Sequence, residues 1–386
     1  MTHKIFFCSK HFSLQNALLV IMFLLLSGTW DCQSQELTAD QTAKDSIIAN
    51  TYPYVLPVWG QKVQERGMAD QMQLPFGLNV NYVNAFVDLE ITEFQLLAGN
   101  TDFTGIINAE TLNFKQVNGT TNGANFRADA WVLPFLNIYT LFSVVKGGTN
   151  VSLQPTWKDG TGEIMLQLPE FSSEVDFDAL AYGVGTTMVF GWNRYFSSVD
   201  INYSRTDTDL LKDQIGYLTL SARLGHSFKL SKRKKDMFIA PYLGMMYRDF
   251  VGADGSSGQI NFNEVFPELD ATFNERINAK IEANQELIDN PTTPPGQKIK
   301  LQAQNQALNT IQERVNNSGI FNSEFSYFIK KELVQSITFQ FGFNFQLNKH
   351  WMLRGEYGVA DSQRFLMTGL QYRFGIKKRA YKKLLQ

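Results

Sequence analysis

The chain has 386 residues and a formal net charge of −2, which removes the electrostatic case for a nucleic-acid partner. Apolar residues make up 44% and mean hydropathy is −0.19, values that hydropathy alone would assign to a soluble protein. Alternating strands dilute hydropathy in every window, so the same values also suit strands that cross a membrane. Phe is unusually common at 31 residues and Tyr adds 14, a surplus that aromatic girdles at two membrane interfaces would use.

Residues 1–35 read as an export signal. Lys4, Lys10 and His11 form a basic start, and residues 17–26 are an apolar run too short to span as a helix. Small and polar residues follow, with cleavage expected near Gln35. Trp30 and Asp31 stand where a lipoprotein acceptor at Cys32 would need small residues, so simple cleavage removes both Cys8 and Cys32. The mature chain then carries no disulfide. No later apolar stretch reaches 18 residues, which leaves no helical anchor. Residues 36–75 read as a periplasmic or luminal N-terminal segment with a short helix around Val58–Arg66.

The first strand starts at Phe76, where Phe76, Leu78, Val80 and Tyr82 alternate with Gly77, Asn79 and Asn81, and it runs loosely to Leu97. The Asn, Gly and Thr clusters of 98–123 read as loop. Phe126, Ala128, Ala130 and Val132 alternate next, Pro134 marks a turn, and Leu136, Ile138, Phe142 and Val144 return. Residues 147–178 read as a long connection with a hairpin turning at Asp159-Gly160. Tyr182 to Trp192, Val199 to Tyr203, Leu218 to Leu224 and Met237 to Tyr247 continue the alternation, turning at Asn193-Arg194, 205–214 and the basic 231–236.

Residues 251–325 break the pattern. Phe266, Leu269, Phe273, Ile277 and Ile281 step by three and four, and Ile299, Ala303, Ala307, Ile311 and Val315 make a second stripe. Pro291 to Gly296 separates them and Gly319 follows, so an inserted helical hairpin is expected. A lid, plug or docking element and a long loop folded on itself are both open readings of it.

Ile337–Leu347 is the clearest segment. Ile337, Phe339, Phe341, Phe343, Phe345 and Leu347 take one face, and Thr338, Gln340, Gly342, Asn344 and Gln346 the other. Its length matches the roughly 9–11 residues that a tilted strand needs to cross a bilayer core. Residues 351–359 and 366–374 repeat the design, and a basic tail, 376–386, follows. The count is ten strands, with twelve as the alternative if 104–117 or 149–169 enter the membrane. The expected fold is all-β, a transmembrane antiparallel β-barrel over 76–375. A soluble β-sandwich or lipid-binding barrel with an aromatic core is the competing fold. If the chain resembles bacterial outer-membrane barrels, whose last strand runs toward the periplasm, the turns at 133–136, 192–195, 231–236 and 348–350 are expected to be periplasmic and the long connections extracellular.

Residues 127–142, 183–210 and 339–375 resemble a family of bacterial outer-membrane β-barrel proteins without an assigned activity. Leu370-Gln-Tyr-Arg-Phe374 is similar to the closing signature that outer-membrane assembly machinery recognises. The resemblance implies a bacterial outer-membrane location, with the lipid bilayer, lipopolysaccharide and that machinery as partners. It implies no cargo, and the tail after Phe374 departs from the many barrels that stop there.

The inward face is expected to collect Arg127, Asp129, Asp200, Arg223, Arg248, Arg354, Glu356 and Arg373. They read either as a porin-like lining for small solutes or as a filled core of paired charges. No enzyme activity is expected. His226 and Ser227 are adjacent on a strand and point to opposite faces, and His350 lies in a turn. The residues carry no metal-ligand cluster and no cofactor motif. Two functions remain, a narrow porin-like channel and a non-conducting structural or surface-binding barrel whose loops and hairpin dock a partner.

Overall fold

The structure, a computed structural model, describes residues 46–98, 101–209, 213–234, 236–252, 256–321 and 324–384. The expected export signal at 1–35, both cysteines included, lies outside the described residues. Ten strands carry the fold: β1 (Phe76–Ala98), β2 (Phe114–Leu133), β3 (Leu136–Leu153), β4 (Phe171–Trp192), β5 (Tyr195–Thr208), β6 (Ile215–His226), β7 (Phe238–Val251), β8 (Ile337–Gln346), β9 (Trp351–Ala360) and β10 (Gln363–Phe374). Each pairs antiparallel with its neighbours in the chain, and β1 pairs with both β2 and β10. The closing seam sets Phe76 opposite Phe374 and Val87 opposite Gln363. Where all ten strands overlap, closure leaves no unpaired edge.

The twelve-strand alternative is overturned. Phe114–Val117 lengthens β2 and residues 149–153 lengthen β3, while Thr156–Lys158 and Ile164–Gln167 pair only with each other. The expected loops at 98–123 and 147–178 are correspondingly too long. Asn, Gly and Thr at 118–123 suggest turn by composition, yet they sit in register between β1 and β3, where ladder hydrogen bonds decide the conformation. In the 156–167 hairpin, Asp159 accepts hydrogen bonds from the amides of Thr161 and Glu163, and Gly162, not Gly160, takes the positive φ of 87°. The Thr161 hydroxyl and these amides hold the Asp159 carboxyl below the usual carboxylate range.

Alternation along the strands becomes an inside and an outside. Phe339, Phe341 and Phe343 expose 61, 48 and 43% of their surface, whereas the intervening Thr338 and Gln340 expose 0 and 2%. Leu224, Leu243, Val184, Ile138, Leu353 and Leu370 continue the exposed apolar belt round the barrel. A contiguous belt of this kind belongs against lipid, not water. A soluble sandwich would bury these side chains in its core, which excludes that competing fold. Among the described residues no helix is long and apolar enough to cross a membrane.

The buried apolar cluster lies at the long-connection end, outside the barrel. At about 3.3 Å per residue the 23 residues of β1 reach roughly 75 Å, more than twice the ~30 Å of a bilayer core. The far end of β1 pairs with Phe325–Leu333, which in turn pairs with Ser256–Ile260. Neither of these two strands was expected; their short alternations lie inside a region dominated by helical stripes. Leu96, Leu153, Leu166, Leu168, Phe273, Ile277, Leu308 and Phe325 pack together here and form a cap with its own core.

Helices α1 (Leu269–Asp289) and α2 (Pro295–Ser318) form the inserted hairpin, and Gly319 ends α2 with φ 71°. Leu269, Phe273 and Ile277 of the first stripe are buried. The second stripe holds for Ala307, Ile311 and Val315, which pack against the core, and is corrected at Ile299 and Ala303, which are exposed. The buried face of α2 is Leu301, Asn305, Leu308 and Val315, while Ile299 is 67% exposed. The Asn284–Asn305 hydrogen bond, 2.8 Å, fixes the antiparallel register and leaves Ile299 beyond the end of α1. Ile299→Ala should therefore change unfolding stability by no more than about 0.5 kcal/mol. Leu308→Ala, at a fully buried position, should cost about 2 kcal/mol, and thermal melts followed by circular dichroism separate the two.

At the short-turn end the N-terminal segment is part of the structure. It carries a helical turn at Gly60–Glu65, and Val58 donates to the carbonyl of Val132 at 2.9 Å. The basic tail holds it there: Val55 donates to Ile376 at 3.0 Å and Lys378 to Pro53 at 2.9 Å.

Candidate functional site

Positions of luminal parity on nine strands carry polar side chains inward, and β4 contributes mainly glycine and threonine. All eight charged residues singled out from the sequence border one cavity of about 1000 Å3 inside the barrel. Pro57, Val63, Met68, Gln71, Met72 and Gln73 border it as well, so the N-terminal segment bounds the cavity at the short-turn end.

The charges fall into two networks. In the first, Asp129 on β2 pairs with Arg373 on β10 at 2.9 Å and accepts from Asn79 on β1 and Asn137 on β3 at 2.9 and 2.6 Å. Arg373 Nε donates to the carbonyl of Leu74 at 2.8 Å, tying this network to the N-terminal segment. Asn137 Oδ1 accepts from Arg127 at 2.9 Å. The Arg127 guanidinium lies 3.5 Å over the Tyr139 ring and 3.8 Å from Asp200. Asp200 also accepts from Tyr139 at 2.8 Å and Thr187 at 2.6 Å. A buried carboxylate needs both a cation and several donors, and each of these two has them.

The second network centres on Glu356 of β9, whose side chain is 2% exposed. Tyr242 on β7 donates to it at 2.6 Å, Gln340 on β8 at 2.8 Å, Arg223 on β6 at 3.3 Å and Arg354 at 2.5 Å. Four consecutive strands are thereby fastened to one carboxylate. Glycines make room for the tyrosines. A Cβ at Gly342 would sit 2.7 Å from the Tyr242 hydroxyl, and one at Gly185 2.5 Å from that of Tyr139.

Arg248 stands apart. It donates to Gln363 Oε1 and lies 5.5 Å over the Phe365 ring. The five guanidinium groups outnumber the three carboxylates, so these eight residues leave the lumen with an excess of two positive charges.

Tyr139, Tyr242, Asn137 and Gln340 complete the two networks and Gln363 holds Arg248, and all five lie outside the set singled out from the sequence. Their signal was their parity: each occupies a luminal position, but the two tyrosines pass for wall aromatics. The histidines lie elsewhere. His226 packs between Tyr195 and Phe228, with ring centroids at 4.6 and 4.4 Å, and His350 Nδ1 meets the carbonyl of Arg373 at 2.7 Å. Among the described residues there is no group of three or more His, Cys, Asp or Glu that could hold a metal ion.

No family model matches the chain, and no curated protein matches it either. Solved structures of similar fold include the beta domain of the Bordetella autotransporter Brka, at 10% identity over 77% of this chain and 99% of that one, with a TM-score of 0.31. They include an outer-membrane channel from Pseudomonas putida F1, at 8% identity over 79% and 98%, with a TM-score of 0.26. The outer-membrane protease OmpT from Escherichia coli matches at 9% identity over 77% and 97%, with a TM-score of 0.29. Similarities this distant leave function to be argued from the barrel's own residues.

Proposed function

We propose that the protein is a bacterial outer-membrane β-barrel that serves as a narrow, porin-like channel for small solutes. The carrying observation is the cavity of about 1000 Å3 that the two charge networks border without filling. Eight strands give an interior that side chains just fill, and two more strands widen it. The apolar belt supplies the lipid-facing surface, which in this reading meets phospholipid on one side and lipopolysaccharide on the other. Leu370–Phe374 is the segment that assembly machinery would recognise. No catalytic step belongs to this reading.

Single-channel recording in planar bilayers tests it: discrete open steps are expected from the folded full chain, and a silent protein removes the channel. The cap favours a second reading. It has a hydrophobic core of its own beyond the membrane span, which a non-conducting barrel would use to present a docking surface. Silence with a correctly folded barrel leaves that reading standing.

Sidedness is tested separately. Protease added to intact cells should cut near Pro291–Gly296 at the hairpin tip and spare Ser231–Asp236. The reverse pattern inverts the topology.

A further inference from the structure

We infer that the long-connection mouth of the lumen holds a binding site for a small soluble anion bearing a carboxylate or phosphate group, with Arg248 as its anchor. The inference rests on the channel reading for its purpose but not for its chemistry. The luminal ion pairs among the described residues join Arg127, Arg223, Arg354 and Arg373 to carboxylates and leave Arg248 out. Its Nε is buried and has no hydrogen-bond partner, as is true of Arg127 and Arg223, but those two guanidinium groups are paired with carboxylates and Arg248 is not. An unpaired buried donor on a cation is costly, and an anion is the group that satisfies it.

The surroundings fix the guanidinium and extend the site. Gln363 Oε1 accepts from Arg248 Nη2, while the Gln363 amide donates to the carbonyl of Gln335. Gln363 is thus held in place, and it holds Arg248 over the Phe365 face. Arg248 is directly opposite Thr219 on β6, which is opposite Asn202 on β5. Cross-strand partners stand about 4.5–5.5 Å apart at Cβ. The three therefore form a row of donors along one wall of the cavity, and all three border it. The Arg248 amide donates to Ser336 at 2.8 Å, which puts the row at the long-connection mouth. Asp200, the carboxylate two residues from Asn202, is already occupied by Arg127, Tyr139 and Thr187 and accepts one Asn202 amide hydrogen at 3.4 Å, which leaves the other hydrogen of that amide for the site. The two excess positive charges of the lumen match a monovalent or divalent anion.

The test measures inorganic phosphate and acetate binding to the full chain folded in detergent, by titration calorimetry, beside reversal potentials under a KCl gradient. Arg248→Gln should weaken binding of the preferred anion by roughly tenfold or more, since a charge-assisted contact is lost. Arg248→Lys should retain part of the affinity, and Asp249→Asn, on the outward face, should retain all of it. Whether phosphate or acetate binds more tightly names the group. If Arg248→Gln binds both anions as the unaltered protein does, the site is overturned. Open steps with unaltered binding in that variant remove the anion site and leave the channel. A silent bilayer with Arg248-dependent binding removes the channel and leaves the site.

Discussion

Phe341→Arg should destabilise the barrel by roughly 2–4 kcal/mol, the cost of an arginine on the lipid face near the bilayer midplane. Phe341 lies in the middle of β8, 48% exposed, with its ring 5.3 Å from that of Tyr357 on β9. Unfolding in urea from lipid vesicles measures the loss. Stability alone does not prove orientation, because an arginine in a soluble core would also be harmful. Tryptophan placed at 341 should be quenched by lipids brominated on the acyl chain, and tryptophan at 344 should not. Asn344 borders the luminal cavity opposite Arg354. A folded 341 variant that escapes quenching in bilayers would sink the lipid-facing assignment of β8 and the belt it belongs to.

That test uses the property of this chain most legible in its sequence. A period of two is geometric: once a run of residues is a strand, every second side chain shares a face. The ten strands and the inward position of Arg127, Asp129, Asp200, Arg223, Arg248, Arg354, Glu356 and Arg373 follow from parity alone. Parity does not supply the partners. Arg223 and Glu356 are 133 positions apart in the chain and meet because closure and register bring β6 near β9. Nor does it separate a wall tyrosine from a luminal one without the register that lays Tyr139 over Gly185 and Tyr242 over Gly342.

Beyond the membrane the fold is less legible in the sequence, for two physical reasons. In β2 and β3, residues 114–123 and 147–153 have the Asn, Gly and Thr content of loops, but the ladder to their neighbours overrides that local preference. In α2 the apolar residues are spread around the helix, so that Ile299 and Leu301 start competing stripes. Only the contact with α1, set by Asn284 against Asn305, chooses Leu301, Leu308 and Val315. Tertiary packing made those choices.

Glu356→Gln should be the most damaging conservative change in the lumen, at about 3–5 kcal/mol, because it leaves Arg223 and Arg354 without their carboxylate. Gln can keep a hydrogen bond to Tyr242 or to Gln340, so the loss isolates the charge from the shape. Adding Arg223→Met removes one orphaned cation and should recover part of the stability. A double-mutant cycle reports the coupling. A cost below about 1 kcal/mol for Glu356→Gln would instead describe a surface-like, solvent-screened pair. That outcome would mean that the network does not fasten β6 to β9. The same variant links stability to permeation. Removing one carboxylate raises the luminal excess from two positive charges to three, so reversal potentials in Glu356→Gln should shift toward stronger anion selectivity. Arg248→Gln should shift them the opposite way, and the pair of variants brackets the unaltered barrel from both sides.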